Sequence, residues 1–273
     1  MTDNCDTSTL KRTVYCGELR PAHEGREVVL AGWVHKTRDM GHLVFVDLRD
    51  REGLAQVVFQ SDRPGLIEEA KKLRNEFVVG VRGLVRRRSA VNKDIPTGEV
   101  EVEALEMHVF AASRVPPFVI ADPPQASEEL RLKYRYLDLR RPRMQRNIRL
   151  RHEAALAVRN YMSRNGYLEI ETPILANPTP EGARDFLVPS RLQPGAFYAL
   201  PQSPQLFKQL LMVGGFERYF QIARCFRDEA TRADRQAEFT QLDVEMSFID
   251  VENITSIMEG LLRRMWKEIL GND

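Results

Sequence analysis

The N-terminal part of the chain alternates between apolar and polar residues, which is typical of strands with one buried face. Five such segments and one short helical segment are predicted: strands at 28–34, 43–49, 54–60, 77–86 and 99–110, with the helix at 64–75. Three strands, a helix and two further strands is the element order of the five-stranded OB-fold β-barrel, a fold that often binds oligonucleotides. A plain β-barrel or sandwich without a ligand is the alternative.

The C-terminal part mixes helical and strand patterns, which predicts an α+β domain. Apolar residues recur at helical spacing between positions 150 and 161, and again between 251 and 270. A shorter helix lies between them, with Ser203 as the predicted N-cap and Pro204 as its first residue. Short strands are expected at 167–172 and 197–200.

Around the stretch from Phe226 to Phe248, two strands are predicted at 219–227 and 239–248, on either side of a charged loop. On the second strand one face is apolar and the other polar: Leu242, Val244, Met246 and Phe248 against Gln241, Asp243, Glu245 and Ser247. Buried charge is costly unless it is paired. Pairing this face with Arg227 and Glu229 would suit a ligand with positive and negative groups, such as an amino acid or a nucleotide. A solvated face with surface ion pairs is an equally good interpretation.

Composition changes divide the chain into four predicted regions. They are a loose N-terminus at 1–14, a barrel domain at 15–114, a linker or hinge at 115–146 and a second domain at 147–273. Four prolines between 116 and 124 indicate an extended linker. The basic segment 128–144 after it is helical in composition, and its arginines could form a solvated face or lie against a polyanion.

Charge and cysteine content exclude several classes of protein. The 273 residues carry a net charge of only +1, so a nucleic-acid surface must come from local clustering. The three cysteines (Cys5, Cys16, Cys225) form no CxxC pair, and the five histidines show no metal-ligand spacing, so no metal site is predicted. The chain has no apolar run of membrane-spanning length and no apolar signal core, so we expect no membrane association and a cytoplasmic location.

Two local features favour nucleic-acid binding by the barrel. Phe45 falls on the polar face of its strand, where an aromatic ring could stack on a base, and Gln56 on the next strand could bond a base edge. Basic residues that could follow phosphates cluster nearby in sequence: Lys36, Arg38, Arg74 and the run 86–88. A lone surface aromatic or a basic run is often incidental, but the combination on this fold favours nucleic acid.

Two segments of the second domain suggest a site for a carboxylate. The loop 177–190 has the Gly/Pro content of a functional loop and contains Glu181, Arg184 and Asp185. Gln205 and Lys208 are three residues apart, so they share one face at the start of a helix. An exposed lysine and surface decoration of the loop are the alternatives, and for a single lysine the exposed one is more common.

Several long segments together resemble the class II aminoacyl-tRNA synthetases and, within them, the bacterial-type aspartyl-tRNA synthetases. No P-loop or dinucleotide fingerprint is present. Residues 166–175 (GYLEIETPIL) resemble motif 1, and 226–245 (FRDE to EFTQLDVE) resemble motif 2. TPEGARDF, QSPQLFKQ and RLKYRYLDLRRP are similar to the family's aspartate-reading loop and helix and to its hinge. The resemblance implies an OB-fold β-barrel plus an α+β class II catalytic domain built on an antiparallel sheet.

The resemblance also implies roles for individual residues. Arg227 would be catalytic, holding the α-phosphate of ATP and the aspartate carboxylate. The other implied aspartate contacts are Glu181, Gln205, Lys208 and Asp243, and the other implied ATP contacts are Asp228, Glu229, Gln236 and Phe239. The implied anticodon contacts are Arg38, Phe45, Gln56, Arg74 and Asn92, and motif 1 would build a homodimer interface through Pro173.

The implied partners are L-aspartate, ATP and tRNA-Asp, and the sequence leaves open whether tRNA-Asn is also charged. Family members continue into a third motif, whose arginine grips the γ-phosphate and beside which residues support Mg²⁺. Residues 1–273 contain no such segment. We therefore expect a C-terminally incomplete catalytic domain without the main Mg²⁺ ligands, and little activity of this chain alone. A non-catalytic tRNA-binding module is the alternative, and a relative that charges asparagine or lysine is a third.

Overall fold

The structure, a computed structural model, describes residues 10–179, 181–230 and 232–271. Positions 1–9 of the predicted loose N-terminus, Cys5 among them, lie outside the described residues, as does Pro180 of the TPEGARDF stretch. The chain divides into two compact units, 1–145 and 146–273.

The first unit is built on a closed five-stranded barrel. Its elements are β1 (Glu27–Asp39), β2 (Leu43–Arg49), β3 (Leu54–Gln60), α1 (Pro64–Lys71), β4 (Val78–Arg87) and β5 (Val100–Ala111). The strand order around the barrel is β1-β2-β3-β5-β4, and only the β3–β5 pairing is parallel. The predicted five strands and the helix between the third and fourth are confirmed.

The alternating residues explain why these strands close around a core. The alternate residues Val44, Val46 and Leu48 of β2 point inward and are at most 1% exposed, whereas Phe45 between them is half-buried on the other face. Ile67 and Ala70 of α1 pack on the same core. Each fully buried Val, Leu or Ile side chain contributes about 1.5–3 kcal/mol. The barrel is therefore stable enough to present its outward-facing side chains in fixed positions.

The hinge segment carries two short helices, α2 (Glu128–Lys133) and α3 (Arg135–Asp138). The residues that follow bind protein carboxylates. Arg140 donates to Glu76 at 2.6 Å and lies 5.0 Å from the ring centre of Trp33, while buried Arg141 bonds Asp122 and the buried Asp138. For Arg140 and Arg141 a solvated helix face is therefore wrong, because barrel and hinge carboxylates engage both side chains.

The second unit contains three helices and five strands among its described residues. They are α4 (Pro142–Arg164), β6 (Leu168–Glu169), β7 (Phe186–Pro189), β8 (Phe197–Leu200), α5 (Gln205–Val213), β9 (Arg218–Phe226), β10 (Glu238–Met246) and α6 (Val251–Leu270). β10, β9 and β6 form one sheet, with β9 and β10 antiparallel and β6 parallel to β9. β7 and β8 form a separate antiparallel pair.

Four predictions about these elements need correction. The strand expected at 167–172 pairs over Leu168–Glu169 only, and the loop expected at 177–190 contains β7. α4 begins at Pro142 rather than near position 147, because proline is well tolerated in the first turn of a helix. Phe248 does not share the apolar face of β10: the strand ends at Met246, and Phe248 is 93% exposed with a φ of 56°.

The core of the second unit lies between α4, α6 and one face of the β9–β10 pair. Val158 and Met162 of α4, Leu261 of α6 and Phe220 of β9 are its buried members, and Leu242, Val244 and Met246 pack against them. This confirms the predicted apolar face for those three residues. The opposite face of the same two strands is left for the polar side chains. In the described part of the chain, no helix is long and apolar enough to cross a membrane.

Candidate active site and nucleic-acid interface

The polar face of β10 is built against β9 with a fixed register. Asp243 lies directly opposite Gln221, and Glu245 lies opposite Tyr219. Asp243 is only 6% exposed, and Tyr219 is fully buried. The Tyr219 hydroxyl donates to Gln221 Oε1 at 2.8 Å; burial and the neighbouring Asp243 charge raise the pKa of this tyrosine well above its usual value. The interpretation of this face as solvated surface is therefore wrong at Asp243.

Lys208 pairs with this face from α5. Its ammonium Nζ lies 2.9 Å from Asp243 Oδ1 and 3.4 Å from Glu245 Oε2, and the residue is 8% exposed. The more common alternative, an exposed lysine, is therefore wrong. The second carboxylate oxygen of Asp243, Oδ2, is buried and has no hydrogen-bond partner among the described residues. A buried acceptor of this kind costs about 1–3 kcal/mol until a donor reaches it, so an ammonium group of a ligand would fit here.

The loop that carries Glu181 lies beside the start of α5. The Ser203 hydroxyl donates to Glu181 Oε2 at 2.7 Å, and the Thr179 hydroxyl donates to Oε1 at 3.2 Å. Ser203 is thus not the helix N-cap that the sequence predicts. Pro204 holds that position without a side-chain cap, because the serine hydroxyl is engaged by the loop carboxylate. A small cavity of about 110 Å³ opens here, lined by Glu181, Asp185 and Ser203 among others.

Arg227 follows β9 directly and lies against an aromatic ring. Its guanidinium carbon is 5.0 Å from the ring centre of Phe239, a cation–π distance. Phe239 is paired in register with the fully buried Cys225. Burial and the Asp243 charge raise the pKa of the Cys225 thiol to about 11, while the charges of Arg227, Glu181 and Lys208 also act on it. Four of the charged residues singled out by sequence thus lie around one buried thiol.

The remaining candidates form an open rim. Asp228, Glu229 and Gln236 are exposed in the loop between β9 and β10, and the Asp228 amide donates to the Arg184 carbonyl at 3.0 Å. Gln205 is half-buried as the first residue of α5, one turn ahead of Lys208. The motif-like segments that are distant in sequence therefore come together, with Lys208 and Asp243 at the floor.

A second polar cluster lies on the outer face of the barrel, around Gln56. Gln56 is 4% exposed, and its Oε1 accepts from Arg38 at 2.9 Å and from Arg88 at 2.7 Å. Its amide donates to Glu101 at 2.7 Å, and the Arg38 guanidinium carbon is 5.6 Å from the Phe45 ring centre. Gln56 thus bonds both arginines, and one of them, Arg38, lies beside the aromatic ring. The structure brings Arg38, Phe45 and Gln56 together.

Arg74 and Asn92 make their hydrogen bonds elsewhere in the barrel unit. The Arg74 guanidinium donates to the carbonyls of Lys71 and Leu73, and the residue lines a cavity of about 560 Å³. The Asn92 side chain accepts from the amide of Asp94 in the loop before β5.

Sequence reasoning missed several members of these two clusters. Glu101 was not singled out, although its position on an alternating strand signalled an outward-facing carboxylate. Arg88 was noted only as one of a basic run, and Glu245 only as part of a polar face. Ser203 gave no usable signal, because a serine before Pro-Gln-Leu predicts a helix cap rather than a loop contact. In the parts of the chain that the structure describes, no group of three or more His, Cys, Asp or Glu side chains could hold a metal ion.

Comparison with protein families gives two matches. Residues 127–273 match the family described as "tRNA synthetases class II (D, K and N)", and residues 28–110 match "OB-fold nucleic acid binding domain". The predicted fold class, an OB-fold barrel plus a class II synthetase domain, is thus confirmed.

Individual relatives agree with these matches. The chain is 56% identical over 266 residues to an aspartate–tRNA(Asp/Asn) ligase of Symbiobacterium thermophilum, covering 96% of this chain and 45% of the relative. It is 54% identical to an aspartate–tRNA ligase of Clostridium perfringens, covering 97% of this chain and 44% of the relative. The structure resembles asparaginyl-tRNA synthetase from Pyrococcus horikoshii complexed with asparaginyl-adenylate, with a TM-score of 0.84 and 30% identity over 96% of this chain and 59% of that one.

Proposed function

Because the chain belongs to the class II tRNA synthetases (D, K and N), we propose that it carries the tRNA-reading barrel and part of the active site of an aspartate–tRNA ligase. The reaction is the ATP-dependent activation of L-aspartate to aspartyl-adenylate, followed by transfer to tRNA-Asp. The chain spans 45% and 44% of the length of two curated relatives, so the reaction of the whole protein is part of the proposal. The buried Lys208–Asp243 pair with its unpartnered carboxylate oxygen is the observation that carries it.

The amino-acid pocket follows from the charges at the floor of the site. Asp243 Oδ2 and the Glu181 carboxylate are acceptors for the α-ammonium group of aspartate. Lys208, shared between Asp243 and Glu245 in the structure, is the cation for the side-chain carboxylate of the substrate. Gln205, one turn before Lys208 on α5, supplies an amide at the edge of this pocket. A buried cation favours a carboxylate over a neutral amide, because a charge-assisted hydrogen bond between two ionised groups is stronger than one to a neutral acceptor.

The nucleotide would lie on the Arg227 side. Arg227 is placed to stabilise the negative charge that builds on the α-phosphate as the aspartate carboxylate attacks it. Phe239, already covered by a guanidinium group at 5.0 Å, offers a flat surface for adenine. Asp228, Glu229 and Gln236 on the exposed rim would complete the ATP contacts. Family membership implies Mg²⁺ as well, and no step proposed for the described residues runs through it.

The barrel would read the anticodon loop of tRNA. Phe45 offers a stacking surface, and the arginines fixed by Gln56 offer donors to phosphates and base edges. Arg74 and Asn92 are proposed as more distant contacts. We also propose that the protein acts in the cytoplasm and forms a homodimer through the segment around Pro173. Charging of tRNA-Asn in addition to tRNA-Asp is an open extension of the proposal.

The nucleotide half of the proposal can be tested by calorimetric titration with a sulfamoyl analogue of aspartyl-adenylate. We expect binding by the 273-residue chain, and a loss of about 10- to 100-fold in affinity for Arg227→Ala, because a charge-assisted contact is removed. Arg224→Ala is the matched control: Arg224 is exposed on the same strand and pairs with Glu238. Equal binding by the Arg227 and Arg224 variants would contradict the assignment.

The RNA half needs its own titration, with a short hairpin that carries the GUC anticodon loop. Phe45→Ala should weaken binding by about 1–3 kcal/mol, the value of one stacked base. Arg88→Ala should also weaken it, whereas Arg87→Ala should not, because Arg87 pairs with Glu24 and Glu99. If Phe45→Ala binds the hairpin as well as the wild type does, the barrel face is not the RNA surface.

A further inference from the structure

Gln202, just before α5, is a fully buried polar side chain that lies outside the contacts assigned above. It is 1% exposed, yet its side-chain amide is engaged at both ends. Its Oε1 accepts from the Ala183 amide at 3.0 Å, and its Nε2 donates to the Ala183 carbonyl at 3.0 Å and to Asp185 Oδ1 at 2.6 Å. All three bonds run to the loop that carries Glu181.

These bonds hold the loop from one side, and motif 2 holds it from the other. The carbonyl of Arg184, between the two residues that Gln202 grips, accepts from the Asp228 amide at 3.0 Å. Two residues before Ala183, the Glu181 carboxylate is bonded by Ser203, the immediate neighbour of Gln202. A change in the position of Ala183 would therefore move Glu181 relative to Asp243 and Lys208.

We propose that Gln202 is a positioning residue that clamps the loop 181–185 through Ala183 and Asp185 and so fixes the Glu181 carboxylate over the amino-acid pocket. The ligand of that carboxylate is an α-ammonium group, an assignment that rests on the proposed function. Gln202 itself touches no substrate. Its side-chain amide bonds both the N–H and the C=O of Ala183, as the backbone of a neighbouring strand would.

The clamp can be tested without any ligand, by amide hydrogen exchange in the 273-residue chain. Gln202→Ala should raise the exchange rates of the Ala183 and Asp228 amides by roughly tenfold or more, because both lose the fixed loop, while amides within α5 keep their rates. The matched control is Gln209→Ala, an exposed glutamine on the same helix, and it should change neither. Wild-type exchange at both amides in the Gln202 variant would overturn the proposal.

The link to Glu181 can be tested by a double-mutant cycle on binding of the same aspartyl sulfamoyl analogue. Gln202→Ala should weaken binding by about 10-fold or more when Glu181 is present, and should have little further effect in the Glu181→Ala background. Equal losses in both backgrounds would show a general structural role and overturn the positioning role.

The two arms separate the inference from the function on which it rests. If the wild-type chain binds no analogue, the proposed function fails, and the exchange rates still decide whether Gln202 clamps the loop. If the wild type binds but the cycle is additive, the function stands and the assignment of Gln202 falls.

Discussion

At the scale of single residues, the buried ion pair of Lys208 and Asp243 is the feature that most directly indicates a binding site. Two charges have been removed from water, and Asp243 keeps one oxygen without a partner among the described residues. Such a pair contributes little net stability compared with apolar residues of similar size. A buried pair of this kind fits a binding role, in which a donor group of the ligand bonds the remaining oxygen of Asp243.

Removing the lysine should be strongly destabilising. Lys208→Met leaves the Asp243 carboxylate buried without its cation, so we expect the free energy of unfolding of the second unit to fall by about 3–5 kcal/mol in urea denaturation. Arg263→Ala, which breaks an exposed pair with Glu259 on α6 of the same unit, is the control and should leave the transition nearly unchanged. Asp243→Asn added to Lys208→Met should recover part of the loss, and a further loss would contradict this explanation.

His35 gives the barrel unit a predictable pH dependence. Burial, followed by the Arg49 charge, lowers the pKa of His35, while Glu76 acts in the opposite direction. Its Nδ1 lies 3.1 Å from Arg49 Nη1 and must accept, because a guanidinium group only donates. The folded state thus favours neutral imidazole, so its contribution to stability is present above the unfolded pKa of 6.5 and is lost as the pH falls below it.

Urea denaturation of the barrel at about pH 7.5 and about pH 5.5 measures this loss. His35→Gln should show a smaller decrease over the same interval, since it keeps an acceptor for Arg49 but does not titrate. An identical decrease in both proteins would mean that other groups cause the acid sensitivity.

The sequence predicts the face on which a side chain lies, but not its burial when that depends on partners distant in sequence. The period-two pattern placed Asp243 and Glu245 on one face, because strand geometry alone decides that. The burial of Lys208 could not be read from its helix, because it depends on carboxylates 35 and more positions away. The same holds for Ser203. Its local sequence predicts a hydroxyl that caps the helix, whereas the hydroxyl donates to the distant Glu181 carboxylate.

At the scale of elements, the close approach of β1 and β2 restricts which residue can occupy position 32 of the barrel. A Cβ atom on Gly32 of β1 would lie 2.3 Å from the Arg49 carbonyl oxygen of β2. This contact is with backbone, which cannot rotate away as a side chain can. The sequence marked Gly32 only as a residue within an alternating strand, because a close approach depends on how the barrel closes.

Gly32→Ala should therefore destabilise the barrel unit by about 1–3 kcal/mol in thermal or urea denaturation, as overpacking does. The matched control is Gly65→Ala in α1, where an added Cβ meets nothing within 4 Å. That change should be neutral or stabilise by up to about 1 kcal/mol, since alanine favours a helix. A Gly32 variant as stable as the Gly65 variant would show that the strands separate at little cost.

Long regular elements were predictable and short ones were not. The strands β2 and β3 and the helix α6 begin and end where the periodicity of their residues does. β6 and β7 have two and four residues, too few for alternation to be distinguished from chance. Pairing with β9 and β8, rather than local sequence, makes them strands.

At the scale of the whole molecule, each of the two units presents one candidate site with its own chemistry. The barrel face holds Phe45 beside Arg38, and Gln56 bonds both Arg38 and Arg88, a combination that suits the proposed RNA contact. The second unit holds a buried cation among carboxylates, which suits a zwitterion with an extra negative charge. The combination is what a synthetase needs, because it must match one amino acid to one nucleic acid.

The proposed selectivity of the second unit for aspartate matters most, since the similar solved structure from Pyrococcus horikoshii is an asparaginyl-tRNA synthetase with asparaginyl-adenylate. The most direct test is a calorimetric titration of the chain with aspartyl and asparaginyl sulfamoyl-adenosine in parallel. The buried Lys208 predicts tighter binding of the aspartyl compound by roughly 10-fold or more, the value of a charge-assisted contact. Equal affinity for both compounds, or a preference for the asparaginyl compound, would show that Lys208 does not select the aspartate side chain.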